Sequence, residues 1–161
     1  MAVHERLPKL DFLVIGAQKS GTTTLHEILK QHPKIVMPEG KERPVFHEPV
    51  DNFDAYFENV FGTYDPAMMY GKATPRYLNI TSSAARIHAA FPDIKLIAIL
   101  REPVARTYSN FNMCVRRNNI TDDFDAAVDG WLDPDALSAA RAASYGQGVE
   151  AKCCVAWSEY S

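Results

Sequence analysis

The sequence predicts an α/β fold: a P-loop-like, three-layer α/β/α arrangement with a short parallel sheet flanked by helices. Three observations lead there. Phe12-Leu13-Val14-Ile15 and Lys95-Leu96-Ile97-Ala98-Ile99-Leu100 are strand-length apolar runs, as expected of parallel strands covered on both faces. Helix-period stripes stand between the strand-like runs, and that alternation favours right-handed strand–helix–strand crossovers. A glycine loop, Gly16 to Gly21, joins the first strand to the first helical pattern.

The elements follow in order. After the first strand, Leu25, Ile28 and Leu29 recur at helical spacing behind Thr22-Thr23-Thr24, a cluster suited to N-terminal capping. Ile35-Val36-Met37 is a further short strand candidate, and Phe53 to Phe61 reads as a second helix. Met69-Tyr70-Gly71-Lys72-Ala73 is a weaker strand. Ala84, Ile87, His88 and Phe91 form a third helical stripe, opened by Thr81-Ser82-Ser83 and stopped by Pro92. Val104, Tyr108, Phe111 and Val115 make a fourth, expected to face the core, with Pro103 at a first-turn position where proline is welcome. From about residue 120 only helix and loop are predicted. The whole of 1–161 reads as a single domain, with a motif-bearing core over about 10–115 and an incomplete helical part over 120–161.

Composition narrows the function classes. With 161 residues, 47% apolar and 23% charged, the chain has ordinary globular values. A formal net charge of −3 is no footprint for non-specific nucleic-acid or membrane binding, so an anion site must be local. No apolar run approaches the roughly 20 residues that span a bilayer. The charged start MAVHERLPKLDF does not read as a signal peptide. Cys114, Cys153 and Cys154, an odd set without CxxC spacing, suggest reduced thiols, a cytoplasmic location and no metal site.

The loop carries the most information. Gly16-Ala17-Gln18-Lys19-Ser20-Gly21-Thr22-Thr23 leaves a buried strand, turns through two glycines and enters a helix. Such a loop aims successive backbone N–H groups and a helix N-terminus at one spot, which suits a phosphate. Lys19 adds a point charge, and Ser20, Thr22 and Thr23 add hydroxyls. The four-residue gap between glycines resembles a Walker A loop, but the lysine sits inside the loop and Thr22 follows Gly21. The strongest strand ends in Leu100-Arg101, where a metal-holding Asp would be expected of an ATPase. Arg101 offers a planar fork for a bidentate phosphate contact.

These residues resemble the PAPS-dependent sulfotransferases, in particular the bacterial and glycan-type members. Gly16 to Thr23 is similar to the family's 5′-phosphosulfate loop. Leu96 to Pro103, continuing through Arg106, Tyr108 and Ser109, is similar to its 3′-phosphate segment. Lys41-Glu42 followed by Phe46 resembles a Lys-Glu-x-x-x-Phe stretch whose Glu acts as base, and Gly71 to Tyr77 resembles a stretch whose lysine lies at the sulfuryl centre. The resemblance implies PAPS as donor substrate and PAP as product. It implies nucleotide contacts from Lys19, Ser20, Gly21, Thr22, Thr23, Arg101 and Ser109, and catalytic roles for Glu42, Lys72 and Lys19. The acceptor would be a glycan or small molecule bearing a hydroxyl or amine. His47 stands beside Glu42 as an alternative base.

The sequence departs from the family pattern in two places. The usual His-Phe-Phe ending after Lys-Glu reads Pro44-Val45-Phe46. The chain also stops short of a full family domain, which leaves open a dimer, a completing chain, or a truncated remnant that holds PAP or PAPS without turnover. A divergent ATP-dependent phosphotransferase is the remaining alternative.

Overall fold

The computed structural model describes residues 9–41, 45–47, 52–121, 123–143 and 149–160. The chain forms two compact units, one comprising residues up to 17 with 21–99, the other 18–20 with 100–161.

The first unit holds four parallel strands, β1 (Phe12–Gly16), β2 (Ile35–Val36), β3 (Met69–Ala73) and β4 (Lys95–Ala98), in the order β2-β3-β1-β4. Leu13 lies opposite Lys72 on one side and Leu96 on the other. Three helices, α1 (Thr22–Lys30), α2 (Phe53–Phe61) and α3 (Thr81–Ala90), and a 3-10 turn at Tyr77–Asn79 complete the unit. Alternate residues of β1 enter opposite layers: Leu13 joins Phe46, Phe57, Tyr70 and Ile87, whereas Phe12 and Val14 pack with Leu25 and Leu29 of α1. That double burial is why β1 is apolar throughout. The expected three-layer fold is thus present. Gly71 is required by close approach, since a Cβ there would lie 1.9 Å from Cζ of the Phe12 ring.

Local signals set several boundaries. Asn52 caps α2 by accepting from the Ala55 N–H at 2.9 Å, and Gly62, at φ 75°, follows its last turn. α1 corrects an expectation. Its N-cap is Gly21 at φ 94°, with no side-chain cap, so the threonines do not occupy the first-turn N–H groups. Thr22 is buried, while Thr23 and Thr24 are exposed. β4 corrects another. It is the edge strand and is not covered on both faces, since Leu96 is 54% exposed.

The second unit contains α4 (Pro103–Arg116), α5 (Phe124–Leu132), α6 (Pro134–Ala142), α7 (Val149–Lys152) and a 3-10 turn at Ala156–Ser158. Glu102 caps α4 by accepting from the N–H groups of Val104 and Ala105, with Pro103 in the first turn. The apolar stripe of α4 is not its buried face: Val104 is 68% and Tyr108 52% exposed, and of the expected stripe only Phe111 is buried. The inward face is instead Arg106, Thr107, Asn110, Phe111, Met113 and Cys114. Its polar members find hydrogen-bond partners on the segment from Glu150 to Ser158.

Candidate functional site

The order β2-β3-β1-β4 sends the chain from β1 to β2 and β3 on one side and later to β4 on the other. Open α/β sheets bind ligands at the carboxyl ends of strands where the order reverses in this way. β1 and β4 remain hydrogen-bonded to those ends: Ala17 N–H donates to Ile99 O at 2.7 Å and Ile99 N–H to Gly16 O at 2.8 Å. The segments that continue into the glycine loop and into Leu100-Arg101 therefore leave neighbouring strands. A Cβ on Gly16 would lie 2.7 Å from Leu78 Cβ, so this exit tolerates no side chain.

Within the second unit, Lys19 and Arg101 meet. Arg101 Nη1 donates to the Lys19 carbonyl oxygen at 3.1 Å, and the guanidinium is otherwise exposed. Lys19 takes φ 72°, a left-handed conformation that non-glycine residues adopt rarely and chiefly where the surroundings impose it. Ser20 Oγ is buried without a hydrogen-bond partner among the described residues. Ser109 is half-buried, and no hydrogen bond joins it to Arg101 among the described residues. Arg106, in the sequence only one residue of a matching segment, is fully buried and donates from Nε to the Gln18 carbonyl at 3.0 Å. Burial holds its guanidinium below the usual arginine value. An arginine between Val104-Ala105 and Thr107-Tyr108 gives no sequence signal of burial, because its partners lie in distant segments.

Within the first unit, Gly21, Thr22 and Thr23 form the start of α1, and Lys72 sits on β3. Lys72 is 0% exposed, with its ammonium 5.8 Å from the centroid of the Tyr56 ring, a cation–π arrangement. Tyr77 anchors the segment after Glu42: its hydroxyl accepts from the N–H groups of Val45 (3.0 Å) and Phe46 (3.1 Å). Burial pushes the phenol pKa up, which keeps it neutral. Arg86 Nη1 donates to the carbonyl oxygens of Phe46 and His47, and His47 meets the Tyr77 ring edge-on at 5.2 Å. Glu42 lies outside the described residues. Tyr56 and Tyr77 were not singled out by the sequence, where aromatic residues read as core. Among the described residues, no group of three or more His, Cys, Asp or Glu could hold a metal ion.

His26, one turn into α1, is buried, and burial holds its imidazole below the ordinary histidine value. Lys41 and Lys30 act in the same direction and Glu27 opposes them. As pH falls through about 6.5, the unfolded chain takes up this proton before the folded one, so stability present at neutral pH is lost. The melting temperature is expected to fall over that range, and the slope to flatten in His26→Leu. An identical pH profile for the two proteins would exclude His26 as the cause.

The family profile described as "Sulfotransferase domain" matches residues 9–147. Among curated proteins, the chain is 34% identical over 109 residues to "Membrane-associated sulfotransferase kil1" of Dictyostelium discoideum, covering 66% of this chain and 23% of that protein. It is 30% identical over 141 residues to human "Heparan sulfate glucosamine 3-O-sulfotransferase 6", covering 86% of this chain and 41% of the relative. Among solved structures, the sulfotransferase from Alicyclobacillus acidocaldarius superposes with a TM-score of 0.71 at 26% identity, covering 91% of this chain and 64% of that one. The chain thus spans under half the length of both curated relatives. No helix among the described residues is long and apolar enough to cross a membrane.

Proposed function

The chain belongs to the sulfotransferase domain family, and from that premise we propose that it transfers a sulfuryl group from PAPS to a hydroxyl or amine of a glycan or small-molecule acceptor, releasing PAP. The observation that carries this reading is the contact of the Arg101 guanidinium with the glycine loop, Nη1 donating to the Lys19 carbonyl oxygen at 3.1 Å. A donor that is anionic at both its 5′ and 3′ ends needs two cationic stations, and the loop lysine and the Arg101 fork supply them. Ser20 Oγ, Thr22, Thr23 and the first-turn N–H groups behind Gly21 add donors for the 5′ end, and Ser109 adds a hydroxyl toward the 3′ end.

In the reaction, the acceptor oxygen or nitrogen forms a bond to sulfur while the bond from sulfur to the 5′-phosphate oxygen breaks. The acceptor's proton passes to a base, for which Glu42 is the choice and His47 the alternative. Lys19 and Lys72 would offset the charge that develops on the sulfuryl and leaving oxygens. A lysine fully buried beside an aromatic ring costs stability, and such positions are characteristic of functional sites. A nucleotide-holding unit without turnover is the second reading, favoured by the exposed apolar face of β4.

Calorimetric titration with PAP and with ADP, each with and without magnesium, tests the proposal. The expected result is magnesium-independent binding of PAP in preference to ADP, followed by sulfuryl transfer to a member of an acceptor panel. Binding of PAP with no turnover selects the second reading. Preference for ADP with magnesium overturns both in favour of a phosphotransferase.

A further inference from the structure

Arg106 is a buried cation that hydrogen-bonds to no carboxylate among the described residues. Its guanidinium is 0% exposed and faces neutral oxygens: the Gln18 carbonyl at 3.0 Å, the Cys154 carbonyl at 2.8 Å and Ser158 Oγ at 3.1 Å. Burying a guanidinium in this way is costly and is tolerated only where its acceptors are well placed. Gln18, the loop residue it touches, is tied a second time. The Gln18 side-chain amide donates to Glu150 Oε1 at 2.8 Å, and Arg117 holds the other oxygen of Glu150 at 2.7 Å. Asn110 Nδ2 fastens the Glu150 carbonyl to α4 at 3.1 Å.

The direction of these bonds matters. In a trans peptide the C=O and the following N–H point opposite ways. Arg106 holds the Gln18 carbonyl and Arg101 the Lys19 carbonyl, so the Lys19 N–H points away from Arg106 and the Ser20 N–H away from Arg101. Successive N–H groups converge into an anion-binding nest where a residue takes the left-handed conformation, and Lys19 takes it here.

We propose that Arg106 is the positioning residue of the phosphate loop, fixing Gln18 and the turn at Lys19 to a brace formed by residues 149–158. The importance of the brace for transfer rests on the sulfotransferase reading; the brace itself does not. Arg106→Lys keeps the charge but cannot span three acceptors.

Two measurements on the whole chain decide it. In the ligand-free protein, amide order parameters at Lys19 and Ser20 are expected near ~0.85, falling below ~0.6 in Arg106→Lys. The affinity advantage of adenosine 3′,5′-bisphosphate over adenosine 3′-monophosphate, which reads the 5′ end alone, is expected to shrink about tenfold. The affinity for adenosine 3′-monophosphate itself should stay the same. A merely structural Arg106 would lower the melting temperature and weaken both ligands in proportion, and that result, or unchanged order parameters in a folded variant, overturns the proposal. If the unsubstituted protein binds neither nucleotide, the sulfotransferase reading fails while the order parameters still judge the brace. Should Arg106→Lys not fold, Glu150→Ala is the arbiter: increased motion at Lys19 supports the brace and unchanged motion refutes it.

Discussion

Arg101→Ala is expected to weaken PAP binding by about a hundredfold or more and ADP binding far less. The guanidinium has five donors, of which one reaches the Lys19 carbonyl, so the exposed remainder is available for a fork-to-phosphate contact. Two hydrogen bonds to a charged group, at about 1.5–3 kcal/mol each, account for a loss of that size. ADP lacks the 3′-phosphate and should register only the lost Lys19 contact. Arg101→Lys would retain the charge without the planar geometry and is expected to fall between the two. Paired titrations of the variants check the result. Equal losses for both nucleotides would assign Arg101 to holding the loop through Lys19 and remove it from the 3′-phosphate.

Lys72→Met should abolish most turnover without unfolding the protein. A preorganised charge at a transferring group contributes on the order of a hundred- to a thousandfold in rate, by analogy with removal of a single oxyanion donor. The same lysine is fully buried on β3 with its ammonium 5.8 Å from the centroid of the Tyr56 ring, and methionine keeps most of its volume in that space. Activity and stability are therefore expected to move independently: kcat falls by that factor while the melting temperature shifts by only a few degrees. Single-turnover rates and thermal unfolding of the same preparation measure both. A melting temperature that drops in step with activity would make Lys72 a structural residue held by its ring contact, and the catalytic assignment would go.

The expected strands and helices owe their legibility to short-range physics. Asn52 and Gly62 bracket α2 through bonds that span only three or four residues, and the alternation of β1 between two apolar layers is visible in four consecutive side chains. Lys19 and Arg101 could be singled out as candidate anion ligands because the residue types and their order carry the chemistry. That their chain segments leave neighbouring strands came from the strand order of the structure. Arg106 was not legible, since arginine in a helix is exposed far more often than buried and nothing nearby marks it.

What the sequence determined by itself, then, is the set of elements, the parallel α/β class and the polar groups offered by the loop. Caps, periodicity and turn residues act over a few positions, so they can be read along the chain. The tertiary structure decided which faces those elements bury. α4 turns Arg106 and Asn110 inward and leaves Val104 and Tyr108 outside because carbonyl groups some 40 to 50 residues later, at Glu150 and Cys154, satisfy its polar side. β4 leaves Leu96 exposed although Leu13, its register partner on β1, is buried, because the apolar cluster that covers Leu13 does not reach Leu96. Burial depends on partners brought close by folding, and partners so distant in sequence leave no periodic trace in it.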